Sequence, residues 1–420
     1  MQLLEQIWCR TFQTVLRLAM PVLPYRDPKI LRSAAEVPAE LQSRGVERVL
    51  LVTDGGLYAL GKTEPLERCL AEAGITCAVY HDTVANPTVH NVEEARALYL
   101  DHDCQALIGF GGGSAIDCAK AVGARIARPG KPVSRMRGIL RVLRPIPPLV
   151  AIPTTSGTGS EVTLATVITD SDRGHKFPIN DFALIPRVAV LDVENTRTLP
   201  PAMTASTGMD ALTHAVEAYI GRSTTAATRA DALEATRLIF ANLERAYQNG
   251  DDLDARENML TAAFLAGRAF SKSYVGYIHA VAHSLGGRYN IPHGLANAVL
   301  LPVVLEAYGP CIHEKLHQLA VAAGLSQPGE ARAESAGKFI AAVRGLNRRM
   351  GIPETLEGIQ EADIPLLARH AAQEANPLYP VPVLMDAGAL EQFYYKVADR
   401  RHAWTQKTWT GSLQTSAGIS

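Results

Sequence analysis

The chain has 420 residues, of which 47% are hydrophobic and 20% are charged, and its formal net charge is −1 at pH 7. Because this length exceeds what one ordinary hydrophobic core serves, we expect two domains. The composition indicates a soluble globular protein and argues against a disordered chain or a general affinity for nucleic acid. The basic stretch 125–144 also lacks aromatic residues that would stack on bases, so we interpret it as a solvated surface.

The six cysteines are scattered along the chain without a CxxC pair. Such spacing is typical of free thiols in a reducing compartment, and the cytoplasm is the simplest expectation.

The first segment, 1–25, is apolar, but charged residues at positions 5, 10 and 17 interrupt any signal-peptide core. Its apolar residues follow helical spacing instead. We predict an extra helix packed on the body or on a second subunit of a homo-oligomer. A helix lying on a membrane surface is the weaker alternative, because the polar face is not notably basic, and we expect no stable insertion.

From 26 to 199, short apolar runs such as RVLLVTD, QALIGFGGG and LVAIPTT alternate with helical patterns. This alternation predicts an α/β domain with a parallel sheet and crossover helices. From 200 to 420, long alanine- and leucine-rich segments predict a helical domain. The boundary is placed at Leu199-Pro200-Pro201, where two prolines interrupt any helix.

A glycine-rich loop lies in the first domain. The pattern predicts a strand over 105–110, a turn at Gly111-Gly112-Gly113, and a helix with Ser114 as its N-cap and Asp117 completing a capping box. Glycines let a backbone approach a diphosphate, and a helix N-terminus offers unpaired N–H groups to it. Since GGGS is not GxGxxG, a plain tight turn remains the alternative.

Two further loops suit a dinucleotide. Asp54 ends the strand VLLVTD, where its carboxylate could accept hydrogen bonds from an adenosine ribose and repel a 2′-phosphate. An exposed turn aspartate is the alternative. The loop IPTTSGTGSEVT is dense in glycines and hydroxyls, which suits phosphates and sugars, although a loop without a ligand would look the same.

A metal site is indicated further along the chain. Asp210 and His214 are four residues apart, so a helix presents both from one face. His279 and His283 repeat this spacing, and His293 follows the turn Asn290-Ile291-Pro292. A carboxylate with several imidazoles is a ligand set for divalent Fe or Zn. Spacing alone leaves open whether His279 acts with His283 or with His293.

The segment His313-Glu314-Lys315-Leu316-His317 matches HExxH, the helical zinc motif of metallohydrolases, with Glu330 or Glu334 as candidate third ligands. A hydrolase would leave the glycine loop and the other metal cluster unexplained. We therefore interpret HEKLH as a chance match on an amphipathic surface helix.

Four motifs together, GGGSAID, PTTSGTGSEVT, TGMDALTHAVEAY and GYIHAVAHSLGGRYNIPHGLANAVLLP, resemble the iron-containing, or group III, alcohol dehydrogenases. The resemblance spans roughly Val46 to Tyr395, and the first twenty residues have no counterpart in typical members. It implies an α/β dinucleotide-binding domain followed by an all-α domain, the dehydroquinate synthase-like architecture, with metal and nicotinamide meeting in the cleft between them.

Carried over position by position, the resemblance makes Asp210, His214, His279 and His293 the metal ligands. His283 then matches a position near nicotinamide and substrate, where it would relay the reacting proton. The positions that match the family's NAD contacts are Asp54, Asn86, Gly112, Gly113, Ser114, Thr154, Thr155, Thr158, Thr163 and Lys176.

The implied activity is that of an NAD-dependent, metal-containing alcohol dehydrogenase. It transfers hydride reversibly between a primary alcohol, or the aldehyde, and NAD(H), with Fe(II) polarising the alcohol oxygen. Zn would suit the same ligands, and Asp54 disfavours NADP. Ala165 stands where some diol-oxidising relatives carry asparagine, which implies a roomier and less polar pocket. The alternatives are a polyol dehydrogenase or a dehydroquinate-synthase-like lyase using Zn and NAD.

Overall fold

The computed structural model describes residues 1, 3–170 and 175–399. Its strands are β1 Lys29–Leu31, β2 Arg48–Val52, β3 Thr76–Tyr80, β4 Ala106–Gly111, β5 Gly138–Ile139, β6 Leu149–Pro153, β7 Ala165–Asp170, β8 His175–Asn180 and β9 Val188–Val190. Its helices up to residue 200 are α1 Leu3–Ala19, α2 Val37–Gln42, α3 Gly55–Ala59, α4 Glu64–Glu72, α5 Val89–Asp101 and α6 Gly113–Ala127. The later helices are α7 Pro201–Ile220, α8 Ala226–Gln248, α9 Leu253–Ser273, α10 Tyr277–Tyr289, α11 His293–Tyr308, α12 His313–Ala322, α13 Arg332–Arg349, α14 Ile364–Ala375 and α15 Ala387–Val397.

A parallel sheet of six strands forms the first part of the molecule. The strand order is β1-β9-β6-β4-β2-β3, and every neighbouring pair is parallel. All residues of β4 and β6 are buried, as expected of central strands covered by helices on both faces. The predicted parallel sheet with crossover helices is thereby confirmed. Loops that follow the carboxyl ends of these strands meet at one edge, where ligands of open α/β sheets bind.

A second, smaller sheet was not predicted. It has the order β5-β8-β7, with β7 and β8 antiparallel and Ala165 opposite Asn180. The strand β7 alternates buried and partly buried positions, but its sequence ATVITD continues directly from the hydroxyl-rich loop, which obscured its start. This sheet brings Ala165 and Lys176 to the cleft beside the helical part.

The helical part consists of α7 to α15, as the sequence predicts. Its largest apolar core joins buried residues of all these helices, such as Leu212 of α7, Leu243 of α8 and Leu301 of α11. The chain passes from the last strand, which ends at Val190, to α7, which begins at Pro201. The division into 1–25, 26–199 and 200–420 stays a prediction.

The start of α6 differs from the expectation. Its N-cap is Gly112 rather than Ser114, so the helix begins two residues earlier than the capping pattern suggested. Asp117 completes no capping box. Its carboxylate accepts hydrogen bonds from the Ser160 hydroxyl at 2.6 Å and from the Val167 N–H at 2.9 Å, and so joins α6 to the neighbouring loop and β7.

Helix α1 confirms the helical interpretation of the N-terminal segment and packs on the body. The buried residues of this helix are Cys9 and Gln13, whereas Leu4 is 78% and Leu18 69% exposed. Its contacts with the body therefore use a polar side chain, and a row of apolar side chains faces outward.

Two expectations from composition can be compared with the structure. All six cysteines are free thiols, as predicted. Among the described residues, one helical stretch, 293–322, contains an 18-residue segment with the hydropathy of a membrane span, but 67% of that segment is buried inside the molecule. Burial of that kind is typical of a core helix, and this stretch supplies part of the main apolar core.

Candidate metal and cofactor site

Four side chains that the sequence singles out meet in one cluster. Asp210 and His214 come from α7, His279 from α10, and His293 is the first residue of α11. One ligand atom from each side chain lies within 4.8 Å of the ligand atoms of the other three. The geometry thus joins His279 to His293 and leaves His283 outside the set.

The turn after α10 explains this arrangement. Asn290 ends the helix in the left-handed conformation, with φ 54° and ψ 28°, and Pro292 then precedes α11. A left-handed residue is a common end for a helix, and proline cannot continue one. The chain reverses here, so His293 returns towards His279 although it lies fourteen positions further along the chain.

The electrostatics of the cluster fit a divalent cation. Burial lowers the pKa of His214, lowers that of His279 well below its usual range, and lowers that of His293 to about 3. The imidazoles are therefore neutral and keep lone pairs for a metal, while Asp210 supplies the one carboxylate. Such nitrogen and oxygen donors suit Fe(II) or Zn.

Glu217 is a member of this site that the sequence reasoning missed. Its Oε2 lies 2.6 Å from Nδ1 of His279, and the N–H groups of Gly276 and Ile278 donate to the same carboxyl group at 2.8 Å. Burial raises the Glu217 pKa to about 8 against the three hydrogen bonds that lower it, and the positive charge of a divalent cation at the cluster would further favour the charged carboxylate. A partner on Nδ1 directs Nε2 of His279 towards the cluster. The sequence did contain a signal for Glu217, because it lies three residues after His214 and seven after Asp210, on the same face of the helix.

Asn297 was also missed. Its Nδ2 donates to Oδ1 of Asp210 at 2.7 Å and lies 3.2 Å from Nε2 of His279 and 3.1 Å from Nε2 of His293. The residue is fully buried on α11, one turn after His293. It therefore contacts three of the four candidate ligands.

His283 lies beside the cluster, and a carboxylate contacts the ring nitrogen Nδ1. Its Nδ1 is 2.6 Å from Oε1 of Glu374 on α14, and the same oxygen accepts the Tyr379 hydroxyl at 2.8 Å. Its ring stacks on His293 with centroids 5.1 Å apart. Sequence spacing offered no signal for Glu374 or Tyr379, which lie about ninety residues further along the chain.

A cavity of about 270 Å³ opens on the cluster. Side chains of the metal cluster and His283 line one side, and the glycine loop lines another. Six predicted cofactor contacts border this cavity: Asn86, Gly113, Ser114, Thr158, Thr163 and Lys176. Four others, Asp54, Gly112, Thr154 and Thr155, lie outside its lining, although Thr155 adjoins Gly112 and the Thr154 N–H donates to the Gly111 carbonyl.

The glycine loop and the hydroxyl-rich loop touch at Gly113. A Cβ built there would lie 2.8 Å from Cγ2 of Thr158 and 3.0 Å from its hydroxyl oxygen, so any other residue would force one of the two loops to shift. The close approach leaves the first N–H groups of α6 beside threonine hydroxyls. Helix N-termini of this kind bind phosphate groups, and the residues present therefore fit a dinucleotide's diphosphate.

Asp54 is a helix cap at the carboxyl end of β2. Its Oδ1 accepts the N–H of Leu57 at 3.0 Å, which starts α3. Its Oδ2 faces Gly111, where a side chain's Cβ would lie 3.6 Å from that oxygen. One carboxylate oxygen thus serves the helix, and the carboxyl group adjoins the glycine turn.

Asn86 and Lys176 join the α/β part to the metal-bearing helices. Nζ of Lys176 lies 2.5 Å from Oδ1 of Asn86, and Nδ2 of Asn86 donates to Oδ1 of Asn290 at 3.0 Å. Both asparagines have positive φ. Asn290 also ends α10, just before the turn that leads to His293. The predicted cofactor contacts Asn86 and Lys176 are therefore linked by hydrogen bonds to the part of the chain that positions a metal ligand.

Family comparisons cover nearly all of this framework. The model for the iron-containing alcohol dehydrogenase family matches residues 31–193, and the model for the C-terminal part of the Fe-containing alcohol dehydrogenase family matches 204–396. The chain belongs to the iron-containing alcohol dehydrogenase family. It is therefore a metal-containing alcohol dehydrogenase, and the lyase and hydrolase alternatives are not favoured.

Several characterised relatives of this alcohol dehydrogenase are similar over most of their length. It is 41% identical to a 1,3-propanediol dehydrogenase of Klebsiella pneumoniae over 80% of this chain and 87% of that one. It is 37% identical to an NAD-dependent methanol dehydrogenase of Bacillus methanolicus, covering 81% and 89%. A crystal structure of 1,3-propanediol oxidoreductase superposes with a TM-score of 0.85 at 37% identity, covering 89% of this chain and 99% of that chain.

In this alcohol dehydrogenase the HEKLH segment is occupied by structural contacts. Nδ1 of His317 lies 2.9 Å from the Ser335 hydroxyl, and its Nε2 lies 3.2 Å from the Pro328 carbonyl. Glu314 pairs with Arg332 and accepts a hydrogen bond from Gln318. Within the described residues, the only four-membered His and carboxylate cluster is the one around Asp210. These contacts agree with the interpretation of HEKLH as a chance match to the zinc motif.

Proposed function

We propose that this protein oxidises small primary alcohols reversibly to aldehydes with NAD as hydride acceptor, using Fe(II) held by Asp210, His214, His279 and His293. The observation that carries the proposal is that these four ligands face a cavity whose other side is the glycine loop. A metal and a nicotinamide bound at these two places would share one substrate.

A divalent ion bound there would polarise a hydroxyl oxygen and lower its pKa by several units, which makes hydride loss from the alcohol carbon easier. Three neutral imidazoles and one carboxylate leave room for a substrate atom in the coordination shell. The family favours Fe(II), and Zn would suit the same donors.

His283 is the candidate for receiving the alcohol proton. Glu374 holds Nδ1, so the proton of the neutral ring resides on that nitrogen and the lone pair on Nε2 stays available. His283 borders the cavity beside His293. In aldehyde reduction the same nitrogen would return the proton.

For the cofactor, the support comes from the loop geometry. The diphosphate would lie against Gly112, Gly113 and Ser114 at the start of α6. The cofactor's phosphates, sugars and nicotinamide would be bound by the amide of Asn86, the amine of Lys176 and the hydroxyls of Thr154, Thr155, Thr158 and Thr163. Asp54 would face the adenosine ribose and repel a 2′-phosphate, which favours NAD over NADP.

The substrate class follows from the remaining lining of the cavity. Val167, Phe270, Val275 and Leu378 supply an apolar wall, Ala165 adds no polar group, and polar side chains such as Asn180 and Ser271 complete the lining. An apolar wall with few polar groups suits an unbranched aliphatic alcohol better than a polyol. We also keep the cytoplasm as the proposed location and a homo-oligomer as the proposed assembly.

The test is anaerobic purification with metal analysis, followed by NADH formation over a panel of alcohols, diols and aldehydes of increasing chain length. We expect about one iron per chain and the highest kcat/KM for aliphatic primary alcohols. A metal-replete protein that forms no NADH with any alcohol, and consumes none with any aldehyde, would contradict the proposal.

A further inference from the structure

Helix α1 lies outside the family match, which begins at residue 31, yet its polar side chains contact the segment that walls the substrate cavity. We propose that α1 is a specificity element, in which Arg10 and Gln13 hold the segment 377–382 in place against the bound alcohol. The inference rests on the proposed function for its substrate, but the contacts are independent of it.

Four hydrogen bonds link α1 to the backbone of this segment. Arg10 donates to the carbonyls of Val381 at 2.7 Å and Pro382 at 2.9 Å. Gln13 donates to the carbonyls of Pro377 at 3.2 Å and Tyr379 at 2.8 Å. Every bond joins residues more than 360 positions apart, so these are tertiary contacts that support the segment from α1.

The two donors also fix each other. Nη1 of Arg10 donates to Oε1 of Gln13 at 2.8 Å, which settles the orientation of the Gln13 amide and directs its NH2 group to the two carbonyls. Gln13 is 4% exposed. Leaving buried carbonyl groups without donors costs free energy, so removal of this amide would let the segment move.

The segment reaches the cavity on its other side. Leu378 and Tyr379 line the cavity, and the Tyr379 hydroxyl donates to Glu374, which holds His283. Three residues, 377, 380 and 382, are prolines, so the segment has only three backbone N–H groups, of which those of Tyr379 and Val381 donate to the carbonyls of Ala375 and Tyr379. The donors from outside the segment are Arg10, Gln13 and the Arg222 N–H, which donates to the Pro380 carbonyl at 2.7 Å, and in this proposal the two on α1 set how far Leu378 projects towards the substrate.

The chain offers a matched pair of variants. Gln13→Leu keeps the side-chain volume and removes the donors, whereas Gln6→Leu makes the same change on an exposed residue of α1 whose amide donates to the nearby Met1 carbonyl. Both would be compared with the wild type in the metal-loaded enzyme. Arg10→Lys, which keeps one charged donor, serves as the milder second variant if Gln13→Leu folds poorly.

The first readout is selectivity. Because fewer active molecules lower kcat/KM equally for every alcohol, we use the ratio between 1-hexanol and 1-propanol. In Gln13→Leu we expect the ratio to change at least about fivefold in favour of 1-hexanol, because the variant loses the buried bond to the Tyr379 carbonyl as well as the bonds to the Pro377 carbonyl and from Arg10, with KM for NAD unchanged. Gln6→Leu should keep the wild-type ratio. An unchanged ratio in Gln13→Leu would overturn the specificity role.

The second readout needs no activity. Hydrogen exchange followed by mass spectrometry should show faster exchange at Leu378, Tyr379 and Val381 in Gln13→Leu than in Gln6→Leu. Equal exchange in both variants would overturn the inference even if the enzyme is active. If the wild type oxidises no alcohol while exchange at 377–382 still depends on Gln13, the proposed function is wrong, but the support of this segment by α1 is confirmed.

Discussion

The carboxylate of Glu217 lies 2.6 Å from Nδ1 of His279, and both side chains are at most 2% exposed. Glu217 is on the same helix as Asp210 and His214, so α7 supplies two candidate ligands and also the group that orients a third. A histidine whose second nitrogen is held by a carboxylate is a stronger and better directed metal ligand.

The first prediction concerns this pair. Glu217→Gln should weaken metal binding by about 10- to 100-fold, because both carboxyl oxygens accept hydrogen bonds and the variant replaces one of them with an NH2 group that cannot accept. Competition with a chelator of known affinity measures the change. Glu314→Gln on α12 is the matched control and should bind metal like the wild type. An unchanged affinity in Glu217→Gln would show that His279 needs no such partner.

The second prediction tests the contact between the two cofactor loops. Gly113→Ala places a methyl group 2.8 Å from Thr158 Cγ2, so one loop must shift. We expect about tenfold weaker NAD binding, in line with an overpacking cost of about 1.4 kcal/mol. Gly130→Ala, where no atom lies within 4 Å of an added Cβ, should bind NAD normally. Calorimetric titration with NAD distinguishes the two variants.

Much of this architecture was predictable, for physical reasons that differ between elements. Continuous apolar runs such as that of β4 are long enough to identify a buried parallel strand, and the spacing of Asp210 and His214 identifies a helical face. The meeting of His279 with His293 came from the resemblance, since it depends on the left-handed residue Asn290, whose conformation no periodicity reveals.

The misses have a different origin. Glu374 reaches His283 through tertiary packing of α14 against α10, and Tyr379 donates to Glu374, so neither contact leaves a trace in local spacing. Ser114 failed as an N-cap because glycine at 112 already satisfies the backbone geometry two residues earlier. The polar face of α1 was hidden because its donors serve a segment more than 360 residues away.

A third prediction separates the two roles of Asp54. Since its Oδ1 caps α3, Asp54→Gly would change the loop as well as the charge. Asp54→Ser keeps a capping oxygen and removes the charge. We expect the preference for NAD over NADP in kcat/KM to fall by at least about fivefold, because the repulsion of a 2′-phosphate is lost. An unchanged preference would show that Asp54 does not face the ribose.

A fourth prediction concerns pH. Glu161 is buried, and burial raises its pKa to about 7 from an ordinary value of 4.5. The folded protein therefore holds a proton that the unfolded chain releases, and stability falls as the pH rises from about 4.5 to about 7. Glu161→Gln should remove the part of this slope that Glu161 contributes, leaving that of Glu217 and Asp117, and raise the free energy of unfolding at pH 8 by on the order of 1–3 kcal/mol. Denaturant unfolding at several pH values measures it, and a slope identical to the wild type would contradict the assignment.

The central claim is that Asp210, His214, His279 and His293 hold the metal on which alcohol oxidation depends. Its most direct test is His279→Ala, purified anaerobically beside the wild type, with metal content and alcohol-dependent NADH formation measured on the same samples. We expect the variant to lose most of its metal and to form no detectable NADH, while NAD binding to the glycine loop persists. Near-wild-type turnover by His279→Ala would contradict it.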